Sequence, residues 1–355
     1  MPIDTPNTPP GASFGWAVIG PGRIAQRFAE AVHRLPGTHL AVVQGRDLGR
    51  ARAFAAGWTR DGAPSVQATD RLADALARPG VDGVYIATPH PQHAGLIRAA
   101  LEAGKAVLCE KPLVVNRAEA EPLVSLARER RLFLMEAVWT RFLPVYAQVQ
   151  GWLAGGENSA IGRLRGLQSS FCFHEPYDPA APSNRLYDPA LAGGALLDLG
   201  IYNLTMTQWV LQAALGECPE PEALHVSGRL APTGVDQRVW ATLDFANGVS
   251  SQFSCAFDGV ADNALCIFGE RGHIVVPRHF SQATEAVLQR DGEAPLAAHA
   301  PLAINGFEGE IEEAMRCTRS GAVESPTMPH ADTLAVLGWM DRIRARLGVR
   351  YPFET

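Results

Sequence analysis

Two patterns of apolar positions divide the chain. From Phe14 to about Ala137, short apolar runs alternate with stretches in which apolar residues recur every three or four positions. The runs at 16–20, 40–43, 84–87, 106–109 and 133–135 predict buried strands. Between them, 23–35 carries Ile24, Phe28, Val32 and Leu35 at helical spacing and stops at Pro36-Gly37. Residues 49–57, 71–77 with Asp70 as N-cap, 92–103 and 117–130 predict the other helices. Alternation at this pitch implies an α/β fold with a doubly wound parallel sheet. Right-handed crossovers then bring all the strand carboxyl ends to one edge.

After about Leu143 the pattern changes. Residues 164–173 read as extended and 194–212 as helical. Five strand candidates follow at 224–230, 239–245, 249–257, 264–268 and 273–276, with Gly, Asn or Asp at the breaks and no long helix between them. That spacing predicts an antiparallel sheet packed on one face. Helices at 306–319 and 330–347 close the chain. The expected organisation is a disordered, proline-rich tail at 1–13, a nucleotide-binding domain at 14–142 and an α+β domain at 143–355.

The candidate chemistry falls on the predicted strand ends. Gly20-Pro21-Gly22-Arg23-Ile24-Ala25 follows one strand and opens a helix. Gly20 permits the tight turn, Gly22 lets backbone approach a pyrophosphate, and small Ala25 allows close helix–strand packing. The helix N-terminus supplies unpaired N–H groups to the phosphates. The next strand ends in Gln44-Gly45-Arg46-Asp47. An NAD site needs a carboxylate there for the ribose hydroxyls, whereas the planar cation of Arg46 suits a 2′-phosphate. Asp47 is assigned to capping the following helix. NADP is therefore expected over NAD.

Two further segments share that edge. Thr88-Pro89-His90-Pro91-Gln92-His93 should line the nicotinamide half of the cleft, with His90 as a positioning or structural residue. The run 106–109 ends in Glu110-Lys111-Pro112, a charged pair where a buried strand opens onto the ligand edge. Lys111 is the leading proton-transfer candidate. A free lysine titrates at about 10.4, and partial burial beside a cationic ring lowers that value. Glu110 is expected to orient Lys111 or contact the cofactor ribose, and the competing reading is a plain surface pair. Farther on, Gly193-Gly194 precedes Asp198 and Tyr202, four residues apart on one helix face. Tyr202 is suited to the substrate oxygen, and Asp198 to a substrate hydroxyl or to the Lys111 ammonium. The alternative is a core aromatic and a packing acid.

Composition removes several classes. The chain has 355 residues, 47% hydrophobic and 19% charged, which suits two globular domains. A net charge of -6 offers no general attraction to nucleic acid or anionic membranes. Six scattered cysteines (Cys109, Cys172, Cys218, Cys255, Cys266, Cys317) form no CxxC pair and no zinc-like cluster. They predict a reduced, cytoplasmic protein with no metal site. No apolar run reaches the roughly 18 residues of a membrane span, and 1–13 lacks the features of a signal peptide.

The glycine turn, Glu110-Lys111-Pro112 and the Gly193-Gly194…Asp198-x-Gly200-x-Tyr202 segment resemble the Gfo/Idh/MocA oxidoreductase family from Phe14 to Glu354. Many members carry His where this chain has Tyr202. The tyrosine, the 88–93 segment, Met135–Phe142 and the closing Tyr351-Pro352-Phe353-Glu354 are similar to the branch of dimeric dihydrodiol dehydrogenases and NADP-dependent D-xylose dehydrogenases. The resemblance implies a Rossmann domain joined to an α+β domain with a large, mostly antiparallel open sheet, and a homodimer formed through those sheets. It implies Lys111 and Tyr202 as acid–base residues supported by Asp198. The cofactor contacts it suggests are Gly20, Gly22, Arg23, Ile24, Arg46, Thr88, Pro89, His93, Glu110, Lys111, Trp139 and Arg141. Phe142, with His90 and Arg185, joins Lys111, Tyr202 and Asp198 at the substrate. The loop at 173–188 aligns with nothing in the family pattern. The reading is NADP-dependent hydride transfer at a CH–OH group of a sugar or cyclic diol. Its rivals are a nucleotide-dependent glycoside hydrolase and a non-enzymatic NADP sensor.

Overall fold

The computed structural model describes residues 13–59, 65–181, 183–246 and 248–354. Of the expected tail, 1–12 lies outside them. The first unit comprises 1–114, 118–139 and 303–331, and the second 115–117, 140–302 and 332–355.

In the first unit the apolar runs become β1 (Phe14–Ile19), β2 (Thr38–Gln44), β4 (Gly83–Ile86), β5 (Ala106–Glu110) and β6 (Leu134–Ala137). The helices are α1 (Arg23–Arg34), α2 (Leu48–Trp58), α3 (Leu72–Leu76), α4 (His93–Glu102) and α5 (Arg117–Arg130). A sixth strand, β3 (Gln67–Thr69), has no counterpart in the sequence pattern because three half-buried residues carry no periodicity. All neighbours pair in parallel, in the order β3-β2-β1-β4-β5-β6. Strands buried on both faces need apolar side chains at every position, and β1, β4, β5 and β6 are buried throughout. Between α1 and the sheet, the Phe28 ring stacks on Tyr85 at 3.8 Å and meets Trp16 edge-on at 5.3 Å. Asp70 does not cap α3. That helix starts one residue later and has no side-chain cap, and the Asp70 carbonyl accepts instead from Gln44 Nε2 at 3.1 Å.

The second unit holds an eight-stranded sheet of β7 (Leu164–Cys172), β8 (Ala223–Leu230), β9 (Asp236–Asp244), β10 (Ser250–Ala256), β11 (Leu265–Gly269), β12 (Gly272–Val276), β13 (Glu285–Arg290) and β14 (Leu296–His299). Its order is β14-β13-β12-β11-β7-β10-β9-β8. Every pair is antiparallel except β7 with β10, which run parallel from Gly166 opposite Ser250 to Cys172 opposite Ala256. β13 and β14 extend the expected sheet at an edge where β14 is mostly exposed. A helix the sequence reading lacked, α6 (Val145–Leu153), precedes the sheet.

The expected helix at 194–212 is two structures. Leu196–Gly200 is a π-helical turn, and α7 (Ile201–Leu215) continues from it. α7 is buried all round from Ile201 to Leu211, so it shows no amphipathic stripe. It docks polar to polar on the sheet. Asn203 Nδ2 donates to Ser169 Oγ at 2.8 Å, and the Thr207 and Ser251 hydroxyls meet at 2.7 Å. The opposite side of the sheet is a broad concavity of about 600 Å³ lined by Gln168, Ser170, Trp240, Thr242, Gln252 and Ser254.

Of the two closing helices, α9 (His330–Leu347) belongs to the second unit from Asp332 onward. α8 (Glu308–Ser320) and the segment before it belong to the first, so that unit is not the contiguous stretch 14–142. The reason is a specific dock on α1. Arg27 donates to the Asn305 carbonyl at 2.6 Å, and Asn305 Nδ2 donates to the Arg27 carbonyl and to Glu30, both at 2.9 Å. Among the described residues no helix is long and apolar enough to cross a membrane.

Candidate active site

In the first unit the site begins at the glycine turn. Gly20 has φ +92, and a Cβ there would lie 2.8 Å from the Ala87 carbonyl oxygen and 2.9 Å from Thr88 Cγ2. Only glycine lets the end of β1 lie this close to the end of β4. A Cβ on Gly22 would meet nothing within 4 Å. Gly22 is the N-cap of α1 and offers no side-chain acceptor, so the first-turn N–H groups keep their capacity for a phosphate. Ala25 is fully buried, while Arg23 and Ile24 are exposed.

A cleft of about 590 Å³ opens here, lined by Gly20, Gly22, Arg46, Arg50, Thr88, Pro89 and Gln92 among others. Asp47 caps α2, its Oδ1 accepting from the Arg50 N–H at 3.0 Å. The rim thus carries two arginines and one carboxylate already engaged. Arg50 escaped the sequence reading, and its signal was a cation in the first turn after a capping Asp. Gly45 serves packing: a Cβ would strike the Pro21 ring at 2.8 Å. Open space before Gly22, uncapped N–H groups and a cationic rim fit a dinucleotide.

β4 and β5 deliver Thr88 and Lys111 to the same edge. Lys111 is half-buried and its peptide bond to Pro112 is cis. His93 is fully buried, with Nε2 2.8 Å from the Thr88 carbonyl oxygen and Nδ1 3.0 Å from that of Pro112. Burial lowers its pKa. His93 is therefore a strut between the loops that follow β4 and β5, and not a group facing the cleft. His90 is also buried, its ring 5.9 Å from that of His93. Glu110 turns into the interior, where Oε1 accepts from the Tyr85 hydroxyl at 2.5 Å. Neighbouring strand residues face opposite ways, so Glu110 forms part of the floor beneath the edge.

Two other residues of this unit lie in its interior. Trp139 is buried, with the Arg27 guanidinium 4.5 Å above its ring and Phe307 5.3 Å away. Glu310 on α8 is fully buried, and neither carboxylate oxygen has a hydrogen-bond partner among the described residues. Burial first, then the charge of Glu110, holds its carboxyl well above the usual range. No sequence motif marked Glu310.

In the second unit the Gly193-Gly194 pair has two separate jobs. A Cβ on Gly193 would lie 2.7 Å from the Leu186 carbonyl oxygen, so glycine lets the 185–186 loop pack directly on the helix start. That brings Arg185 against Asp198, with both guanidinium–carboxylate contacts at 3.4 Å. Tyr202 is 9% exposed, its ring 5.4 Å from Phe171. Asp198, held by Arg185, thus lies within the π-turn that leads into α7, and Tyr202 is the second residue of α7. Arg141 is buried, and Asp332 at 2.6 Å, Gln208 and the Thr205 carbonyl at 3.3 Å occupy its guanidinium. It braces α7 and α9. Phe142 is half-buried. Among the described residues no cluster of three or more His, Cys, Asp or Glu is placed to hold a metal ion.

Residues 14–138 match the oxidoreductase family with an NAD-binding Rossmann fold, and 147–275 match the GFO/IDH/MocA C-terminal domain. The chain belongs to the Gfo/Idh/MocA oxidoreductase family. It is an oxidoreductase built from a nicotinamide-nucleotide-binding unit and the family's second domain. It is similar to the trans-1,2-dihydrobenzene-1,2-diol dehydrogenases of Macaca fascicularis and Oryctolagus cuniculus. The first is 33% identical over 95% of this chain and 98% of its own, the second 35% over 94% and 99%. In structure it resembles a 3-ketoreductase from Actinomadura kijaniata in complex with NADP and TDP-benzene. That match has a TM-score of 0.78 at 27% identity and covers 94% of this chain and 97% of the other. An aldose-aldose oxidoreductase from Caulobacter crescentus shares the fold, with a TM-score of 0.81 at 22% identity over 95% and 98%.

Proposed function

We propose that this oxidoreductase is an NADP-dependent dehydrogenase of CH–OH groups in a sugar or cyclic diol, with Lys111 and Tyr202 moving the proton and Asp198 supporting them. The observation that carries the reading is the shared edge of the first sheet, where the uncapped glycine turn, the arginine rim and Lys111 all stand at strand carboxyl ends. The diol dehydrogenase relatives and the ketoreductase crystallised with NADP support the substrate class and the cofactor.

A nicotinamide dinucleotide held by the glycine turn, Arg46 and Arg50 would supply hydride exchange with the substrate carbon. The protein's own task is the proton on the substrate oxygen. In the oxidative direction Lys111 accepts that proton as the C–H bond breaks. Tyr202 holds the same oxygen through its hydroxyl. Asp198, fixed by Arg185, orients a neighbouring substrate hydroxyl. Lys111 stands in the first unit and Tyr202 in the second. The chain also forms a homodimer through the outer face of the eight-stranded sheet, which is broad, mostly polar and weakly charged and carries the exposed indole of Trp240.

Lys111→Met tests the mechanism. Turnover should fall about 10²-fold or more, the usual weight of a general acid–base group. NADP affinity by fluorescence titration should hold. Near-normal turnover removes Lys111 from the chemistry. The substrate class is tested by following NADP reduction with D-xylose, D-glucose, inositols and a cyclic trans-diol. Tight nucleotide binding without net reduction in either direction points to a recycling hydrolase or a sensor.

A further inference from the structure

One buried acid in the second unit has no part in the chemistry above. Asp236 is the first residue of β9 and is fully buried. Its Oδ2 accepts from the Leu196 N–H at 2.6 Å, at the first residue of the π-turn. The turn's own N-cap residue, Ala195, supplies no side-chain acceptor. Gly194 has φ +126, and a Cβ there would lie 2.3 Å from Asp236 Oδ1. The second glycine of the pair is thus the space the carboxylate occupies. A second strut comes from the chain end, where the Tyr351 hydroxyl donates to the Gly193 carbonyl at 2.8 Å. Asp198 stands two residues beyond Leu196 and Tyr202 six.

We propose that Asp236 is a positioning residue, its carboxylate fixing the start of the π-turn and thereby the aim of Asp198 and Tyr202. This rests on the reading of Asp198 and Tyr202 as substrate and proton-transfer groups. An ionised carboxylate is an expensive group to bury, and Oδ1 finds no hydrogen-bond partner among the described residues. Stability alone does not call for such a group, whereas a charge-assisted bond to a helix-start N–H fixes geometry. Among the described residues, the titratable groups that act on it are Cys255 from β10, Arg344 from α9 and Tyr351 from the closing segment. Arg344 is itself engaged by Glu354 and Asp341. Burial pushes Asp236 up to about 7. If the carboxylate is the working form, turnover falls as pH drops through that region.

Asp236→Asn keeps an acceptor for Leu196 and removes the titration, and Gly194→Ala pushes the carboxylate aside. In Gly194→Ala, turnover should drop about 10²-fold, as expected when a reacting group is misplaced by about an ångström, with the NADP dissociation constant unchanged. In Asp236→Asn, turnover at pH 8 should also fall, and the acid side of the pH profile should lose the Asp236 step and keep only the one that Lys111 contributes. Amide hydrogen exchange over 196–202 should quicken in both. Exchange at the wild-type rate in both folded variants overturns the anchor. Quickened exchange with wild-type turnover overturns the positioning role, as does a pH profile in Asp236→Asn identical to that of the wild type. Tyr202→Phe, measured alongside, reports separately on the functional reading. Wild-type turnover there fails the role of Tyr202, a different result from unchanged exchange.

Discussion

At the rim of the nucleotide cleft, Arg46, Asp47 and Arg50 divide between recognition and local structure. Asp47 caps α2 with its carboxylate, and this leaves the two guanidinium groups as the rim's charges. A 2′-phosphate gains charge-assisted bonds from them, and a bare ribose does not. Arg46→Ala should therefore raise the KM for NADP much more than that for NAD, checked by steady-state kinetics with each nucleotide. Equal effects on both would reject the discrimination. Polar residues near a strand end were legible as a group, but their individual roles were not. His93 and Glu110 differ from Lys111 by which way a backbone turn points each side chain, and Arg141 by which helices enclose it. Those are long-range facts that no spacing encodes.

At the scale of elements, the glycines and α8 are the instructive cases. Gly20 and Gly194 are required by positive φ and by atoms that approach from other elements, the Ala87 carbonyl in one case and Asp236 in the other. The first was readable as a motif. The second was readable only as a Gly-Gly pair, because Asp236 lies 42 positions on. α8 was readable as a helix, but its membership of the first unit depends on the Arg27–Asn305 dock. It also carries Glu310 into an apolar interior beside Glu110. A carboxyl whose pKa is raised by folding contributes stability that is complete below its unfolded value, near 4.5, and is lost as pH rises through the folded value. Glu310→Gln should therefore raise the melting temperature more at pH 8 than at pH 5. A pH-independent difference, or one of opposite sign, would show that Glu310 is not the source.

At the scale of the molecule, the eight-stranded sheet has one face covered by α7 and one open. Trp240 is 47% exposed on the open face, among serine, threonine and glutamine side chains and with the Arg238 guanidinium 5.3 Å from its ring. An aromatic anchor in a polar, weakly charged field is the composition of an interface centre. Light scattering should give twice the chain mass for the wild type and a monomer for Trp240→Glu, with the helical and sheet content unchanged. A monomeric wild type, or a dimeric variant, would reject this interface.

The sequence by itself determined the alternation of strands and helices in the first unit, the glycine turn and the edge on which Lys111 stands. These follow from short-range rules: apolar periodicity, the steric needs of glycine, and the parallel crossovers that align strand ends. Only the tertiary structure decided that α8 joins the first unit, that the helix before Tyr202 begins as a π-turn, and that His93, Glu110 and Arg141 are struts. It also decided that Asp236 lies against Gly194. Each of these is a contact between residues far apart in the chain, set by the way packed elements exclude water and satisfy buried polar groups.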